Sequence, residues 1–219
     1  DWSSTLPPES WSYAYPSAGL TWIISDMVKS RPEWLTFAKV RASFAQVGND
    51  TDPYKLDPVF YFGQGGELGF AHRSTTKPPT TLKPEITTSQ EYGFDIRFLK
   101  NRIGLDLTWY KAISKNQLLN VPLPAPSGYT DEFINAGSIQ NKGVEATLNI
   151  KPLEGKLAWD IVLNFAANKS LVVYLSEGMT EYTISGSYMT TVKVVEGHEY
   201  GDIYTRGFLR NEAGRILVG

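Results

Sequence analysis

Four stretches of this chain alternate apolar and polar residues with a period of two. Between Ser89 and Leu99, Tyr92, Phe94, Ile96 and Phe98 fall on one side of an extended strand, and Glu91, Gly93, Asp95 and Arg97 fall on the other. Across a turn of Lys100 and Asn101 the pattern repeats, with Ile103, Leu105, Leu107 and Trp109 opposing Gly104, Asp106, Thr108 and Tyr110. Val144, Ala146, Leu148 and Ile150 oppose Glu145, Thr147, Asn149 and Lys151 in the same way. Leu157, Trp159, Ile161, Leu163 and Phe165 oppose Asp160, Asn164 and Asn168. No helical period fits any of these stretches. Taken with the turn residues, alternation predicts six strands, over residues 12–25, 35–47, 89–99, 102–114, 141–151 and 156–168. Beyond Asn168 the pattern weakens, and 191–195 and 203–209 are the candidates for a further strand pair.

Most of these strands reach the ~9–11 tilted residues that cross a hydrocarbon layer, whereas strands of soluble proteins are most often ~5–6 residues long. The connections at 26–34, 100–101 and 152–155 are short and those at 48–88 and 115–140 are long, so the short ends lie together. Tight turns on one side and large loops on the other are the asymmetry of an outer-membrane barrel. Trp11, Trp34, Trp109 and Trp159 are candidates for an interfacial aromatic girdle. The smallest such barrels have ~8 strands, and an open edge in lipid leaves backbone groups unpaired. The expected fold is therefore all-β, an antiparallel transmembrane β-barrel segment that is incomplete. The competing arrangement is a soluble β-sandwich with the apolar face turned inward.

Composition narrows the classes further. A net charge of −2 with no block of Lys and Arg argues against nucleic acid as a partner. The absence of cysteine removes disulfides, thiol catalysis and cysteine zinc sites. Although 42% of the residues are hydrophobic, no apolar run approaches the ~20 residues of a membrane helix. The chain starts at Asp1 with no leader-like segment and reads as a piece of a longer one.

Candidate chemistry is sparse. Lys39, Arg41, Glu91, Asp95, Arg97, Asp106, Glu145, Lys151 and Asp160 line up on the polar face, where cross-strand ion pairing and contact with water account for them; anchoring of a plug inside the barrel is the functional alternative and substrate selection a distant third. Nothing marks two of these carboxylates as an acid/base pair. With His72 and His198 the only histidines and no Gly-x-Ser-x-Gly elbow, a catalytic triad has little support. Asn49 to Asp52 begins like a calcium loop, but Tyr54 stands where an EF-hand needs Gly. The string Gly63-Gln64-Gly65-Gly66 opens no helix after a strand of a β-α unit, so phosphate binding is unsupported. Catalysis, a metal site and a cofactor are accordingly not expected. The loops at 48–83 and 120–137 are rich in Pro and Gly and carry aromatics, expected mainly to pack the loops.

The run Leu82-Lys83-Pro84-Glu85-Ile86-Thr87-Thr88-Ser89-Gln90-Glu91-Tyr92-Gly93-Phe94-Asp95 resembles a stretch of the SusC/RagA-like TonB-dependent receptors of Bacteroidetes outer membranes. So do Lys39 to Tyr54, Phe98 to Lys111, Leu118 to Asn149 and Val194 to Val218, in the same order. The resemblance implies that residues 1–219 are part of the C-terminal β-barrel of such a receptor, with the plug domain and TonB box not among them. It further implies import of a nutrient, glycan oligosaccharides above all and in some members peptides. The implied partners are TonB, a SusD-like surface lipoprotein that closes the mouth, and outer-membrane lipid. For a sugar ligand, aromatic faces in the presumed outer loops are the natural contacts, which nominates Tyr54, Phe60, Tyr61, Tyr129 and Phe133. The alternatives are a soluble carbohydrate-binding β-sandwich and a β-rich glycan hydrolase with two carboxylates.

Overall fold

The computed structural model describes residues 1–28, 30–65, 69–79 and 81–216. Gly66 of the glycine string, and Leu217 and Val218 of the last receptor-like stretch, lie outside the described residues. In chain order the strands are β1 (Ser17–Ile23), β2 (Leu35–Asn49), β3 (Phe60–Gly63), β4 (Phe70–Arg73), β5 (Thr76–Lys77), β6 (Glu85–Phe98) and β7 (Ile103–Lys115). They continue as β8 (Leu118–Pro122), β9 (Asp131–Asn135), β10 (Ser138–Leu153), β11 (Trp159–Tyr174), β12 (Glu181–Gly186), β13 (Thr190–Val195) and β14 (Asp202–Thr205). The only α-helix among the described residues is the single turn α1 (Ile24–Met27).

Six strands form one sheet in the order β1-β2-β6-β7-β10-β11, antiparallel throughout. Its two outer strands do not meet, so the sheet is a sector of a barrel rather than a closed one. All but β1 run 13 to 16 residues, long enough to cross hydrocarbon at a tilt. The register turns alternation into continuous rows. Trp22, Val40, Phe94, Leu107, Ala146 and Phe165 stand side by side across all six strands, and Ala38, Ile96, Leu105, Leu148 and Leu163 form another row on the same face. A one-residue slip at any pair would turn that strand's apolar set to the opposite face, so the two-sided pattern specifies the pairing.

This apolar face is not sealed by a second layer: Leu20 is 70% and Phe165 61% exposed. The sandwich arrangement therefore does not form among the described residues, and the apolar side is left for hydrocarbon. Aromatic residues border it at two heights. Trp34 stacks on Phe98 at 5.8 Å near the short turns, and Tyr92 lies 5.7 Å from Trp109 toward the long loops. Trp159 opens β11 at the short-turn end. Trp11 does not join them. It precedes β1, packs 5.9 Å from Trp2 and donates its indole N–H to the Leu6 carbonyl.

Several boundaries differ from those that alternation predicts. The first strand starts at Ser17 rather than residue 12, because Pro16 has no N–H for the ladder and only its carbonyl accepts, from Gln46. The turn after β6 takes in Leu99 to Arg102, with Leu99, Lys100 and Asn101 all at positive φ. At the long-loop end β6, β10 and β11 outrun their expected limits, so the sheet rises beyond its apolar band.

The long connections are built rather than irregular. They form the hairpin β3-β4 and the small sheet β5-β9-β8, and the stretch after β11 adds the sheet β12-β13-β14, whose β12 alternation did not predict. The densest burial lies in this layer. Val172, Leu175, Tyr182 and Val194 make a cluster with Leu119 and Met179 packed against it, and burial pushes the Tyr182 phenol well above its usual range. Val172 exchanges backbone hydrogen bonds with His198 and Gly197, which fastens the β12-β13-β14 unit to the end of β11.

Candidate functional site

The polar face of the sheet carries an ordered charge network. Asp95 and Asp106 sit directly opposite each other on β6 and β7, and like charges in that position repel. Each is neutralised from a neighbouring strand or position. Lys39 approaches Asp95 at 3.5 Å and Arg97 at 3.1 Å, while Arg41 grips Asp106 with two bonds of 2.7 and 2.9 Å and reaches the Thr108 hydroxyl at 2.5 Å. Arg41 extends over Gly93, where a Cβ would come within 2.3 Å of its guanidinium nitrogen Nε, so the missing side chain makes room for the ion pair. Lys151 and Asp160 pair at 3.6 Å nearer the short turns. Ion pairing thus accounts for Lys39, Arg41, Asp95, Arg97, Asp106, Lys151 and Asp160. Glu91 and Glu145 have no ion pair among the described residues.

A second polar region lies in the loop layer. Its walls come from three places: the turn after β2, the β3-β4 hairpin with the segment that follows it, and β9. Asn135 joins the two long loops. Its side-chain oxygen accepts from the Lys83 N–H at 2.7 Å, and its amide donates to the carbonyls of Lys83 and Asn116 at 2.8 Å each. Glu85 Oε1 accepts the Leu118 N–H at 2.6 Å, and Lys77 pairs with Glu132 at 2.7 Å, so β5, β8 and β9 are tied to the sheet below. At the start of β9 the Thr130 hydroxyl donates to Asp131 Oδ2 at 2.6 Å, which holds that carboxyl below the usual carboxylate range against the opposing effect of burial. On the far side, the hydroxyls of Ser3 and Thr5 bond Asp50 Oδ2. Desolvation pushes the Tyr15 phenol up to about 12, where its ring lies over Gly48.

Between these walls is a pocket of about 280 Å³ lined by Asp52, Pro53, Tyr54, Lys55, Asp57, Val59, Tyr61, Ser74, Thr76, Pro78 and Phe133. Three of the five nominated aromatics, Tyr54, Tyr61 and Phe133, meet here. Tyr54 is 81% exposed and sits at φ 64°, a conformation unfavourable for a bulky residue, which presents its ring at the edge of the pocket. Tyr61 is braced by the His72 ring at 5.8 Å, and Lys55 lies 5.5 Å from the centre of the Phe133 ring. The other two are elsewhere. Phe60 does not line the pocket, since neighbours along a strand point to opposite faces, and Tyr129 packs under Arg73, 4.5 Å from its ring centre. The polar rim of Asp52, Lys55, Asp57, Ser74 and Thr76 was not foreseen. Its members come from two segments, 52–57 and 74–76, that no spacing in the sequence links. Among the described residues no cluster of acidic and histidine side chains suits a metal ion.

An open antiparallel sector with an uncovered apolar face, an ion-paired inner face and a built-up loop layer at one end is a piece of an outer-membrane barrel. Residues 1–203 match the family model described as TonB dependent receptor-like, beta-barrel, and the chain belongs to that family of receptors and transporters in the outer membrane. It is 29% identical over 198 residues to TonB-dependent receptor P39 of Formosa agariphila, a match covering 87% of this chain and 18% of that protein. It is 26% identical over 189 residues to TonB-dependent receptor SusC of Bacteroides thetaiotaomicron, covering 81% of this chain and 19% of that one. The chain thus spans less than a fifth of either relative. Its fold is that of the RagAB peptide transporter, with a TM-score of 0.78 at 22% identity over 90% of this chain and 22% of that one. The RagAB peptide importer in its "closed-closed" state superposes with a TM-score of 0.77 over 99% of this chain and 26% of that one, at 19% identity.

Proposed function

We propose that this chain is the barrel sector of a TonB-dependent importer of glycan oligosaccharides, and that its loop-end pocket contributes to the ligand site. The observation that carries this reading is the convergence of Tyr54, Tyr61 and Phe133 around one cavity with a polar rim. Sugar rings offer C–H faces that pack on aromatic rings and hydroxyls that bond to carboxylates, ammonium and alcohols, and this pocket holds both kinds of group. In the intact receptor TonB drives transport, and a SusD-like lipoprotein closes over the loop layer. The ion-paired inner face of the sheet serves as the wall against which the plug docks, with Glu91 and Glu145, which form no ion pair among the described residues, as its anchoring carboxylates.

The test is ligand binding to the intact receptor with its lipoprotein, using a panel of oligosaccharides and peptides. Replacing Tyr54, Tyr61 and Phe133 together by Ala should weaken oligosaccharide binding about tenfold or more, given ~0.5–1.5 kcal/mol per aromatic contact. Replacing Phe60 and Tyr129 should change it little. An unchanged affinity in the triple variant defeats the pocket assignment, and binding of peptides alone moves the substrate to the peptide class.

A further inference from the structure

The outward face of the six-stranded sheet carries charge only at its long-loop end. Across its outward positions the register finds apolar, aromatic, Gly, Ser, Thr and Gln residues and no carboxylate; the charged side chains there are Lys111, Lys115, Lys142 and Lys169. Three of them form a single row. Lys111 on β7 is directly opposite Lys142 on β10, and Lys142 is directly opposite Lys169 on β11, with Gln90 of β6 next in line. Directly opposed side chains on adjacent strands start about 5 Å apart, so three consecutive ammonium groups repel one another. None of the three forms an ion pair among the described residues. All the acidic side chains of these strands are on the other face, so the sheet itself supplies no counter-charge here.

The height of the row says what does. It lies one step above the row of Tyr92, Trp109, Val144 and Ala167, on the long-loop side, and Lys115 stands further up the same face. From Ile103 to Lys111 the strand covers roughly 27 Å, or about 20 Å of height at a ~40° tilt, close to the ~25 Å of a barrel's apolar band. The ammonium groups therefore emerge where acyl chains give way to headgroups in the outer leaflet. We infer that Lys111, Lys142 and Lys169 form a binding site for the phosphate of an anionic glycolipid headgroup of the outer leaflet, whose acyl chains lie along the apolar rows beneath. One phosphate set between neighbouring lysines replaces the repulsion by two charge-assisted contacts. The stems of the lysines lie along the apolar surface and lift the ammonium groups to that level.

The site is tested on the intact receptor purified in mild detergent, by native mass spectrometry after addition of a lipid A-type phosphoglycolipid. The same glycolipid stripped of phosphate and inorganic phosphate alone form the parallel arms. The wild-type protein should retain the phosphorylated lipid, and K111Q/K142Q/K169Q should bind it about tenfold more weakly or worse. K111R/K142R/K169R should retain it, as should K100Q/K156Q at the opposite rim. K142Q alone gives the same reading, with a smaller loss, if the triple variant folds poorly. Equal retention by the triple Gln variant, or equal binding of the lipid with and without phosphate, overturns the proposal. Full displacement of the lipid by millimolar inorganic phosphate shows that a free anion suffices and overturns the lipid assignment.

Discussion

At the scale of single residues, the sheet depends on positions where a side chain is missing. A Cβ on Gly143 would lie 2.5 Å from the Ala167 carbonyl and 2.6 Å from the Tyr110 hydroxyl; the first is backbone of the paired strand and cannot step aside. Gly104 is different, since its nearest neighbours would be in ordinary contact at 3.8 and 3.9 Å. Gly143→Ala should therefore destabilise the barrel by about 1–3 kcal/mol, whereas Gly104→Ala should be neutral or slightly stabilising by up to ~1 kcal/mol through the unfolded chain. The midpoint of heat-induced mobility change on semi-native gels of the intact receptor measures both. Sequence shows that glycines interrupt the polar face; which of them is irreplaceable depends on the neighbour that the register brings opposite.

At the scale of elements, the loop layer was the least legible part. Its aromatics and prolines are obvious in the sequence, yet β8 and β9 pair across the Pro122-to-Thr130 connection by contacts that no alternation marks, and Asn135 joins segments some fifty positions apart. The layer's acid sensitivity follows from Asp131. A carboxyl whose folded value is depressed stabilises the fold fully above its unfolded value, and that contribution is lost as pH falls through the folded one. Amide-exchange protection of residues 118–135 should accordingly fall as pH drops below the usual carboxylate range, and Asp131→Asn should be weaker at neutral pH and lack this dependence. Exchange measured on the intact receptor across that range decides it; a pH profile identical in the variant would mean that Asp131 is not the sensor.

At the scale of the whole molecule, the described residues present a sheet with two unpaired outer edges and an uncovered apolar face. Edge backbone groups must pair and apolar rows must leave water, so this part of the chain expressed alone should aggregate or require detergent, as size-exclusion chromatography with and without detergent will show. A monodisperse, detergent-free monomer would contradict the membrane reading of the sheet.

What the sequence by itself determined was the two-faced sheet: period-two alternation over long segments, short turns against long loops, and receptor-like motifs in order were enough for the six strands of that sheet, their orientation and the family. Strand edges differed by a few residues, because pairing in β6, β10 and β11 continues at the loop end after the apolar pattern stops, while Pro16 delays the start of β1. Only the tertiary structure decided which aromatics meet, that Asp95 and Asp106 face each other between borrowed cations, and that three lysines distant in the chain stand in one row. The physical reason is that alternation is a local property of each strand, while adjacency across strands is set by register and loop closure, which join residues that the chain itself keeps far apart.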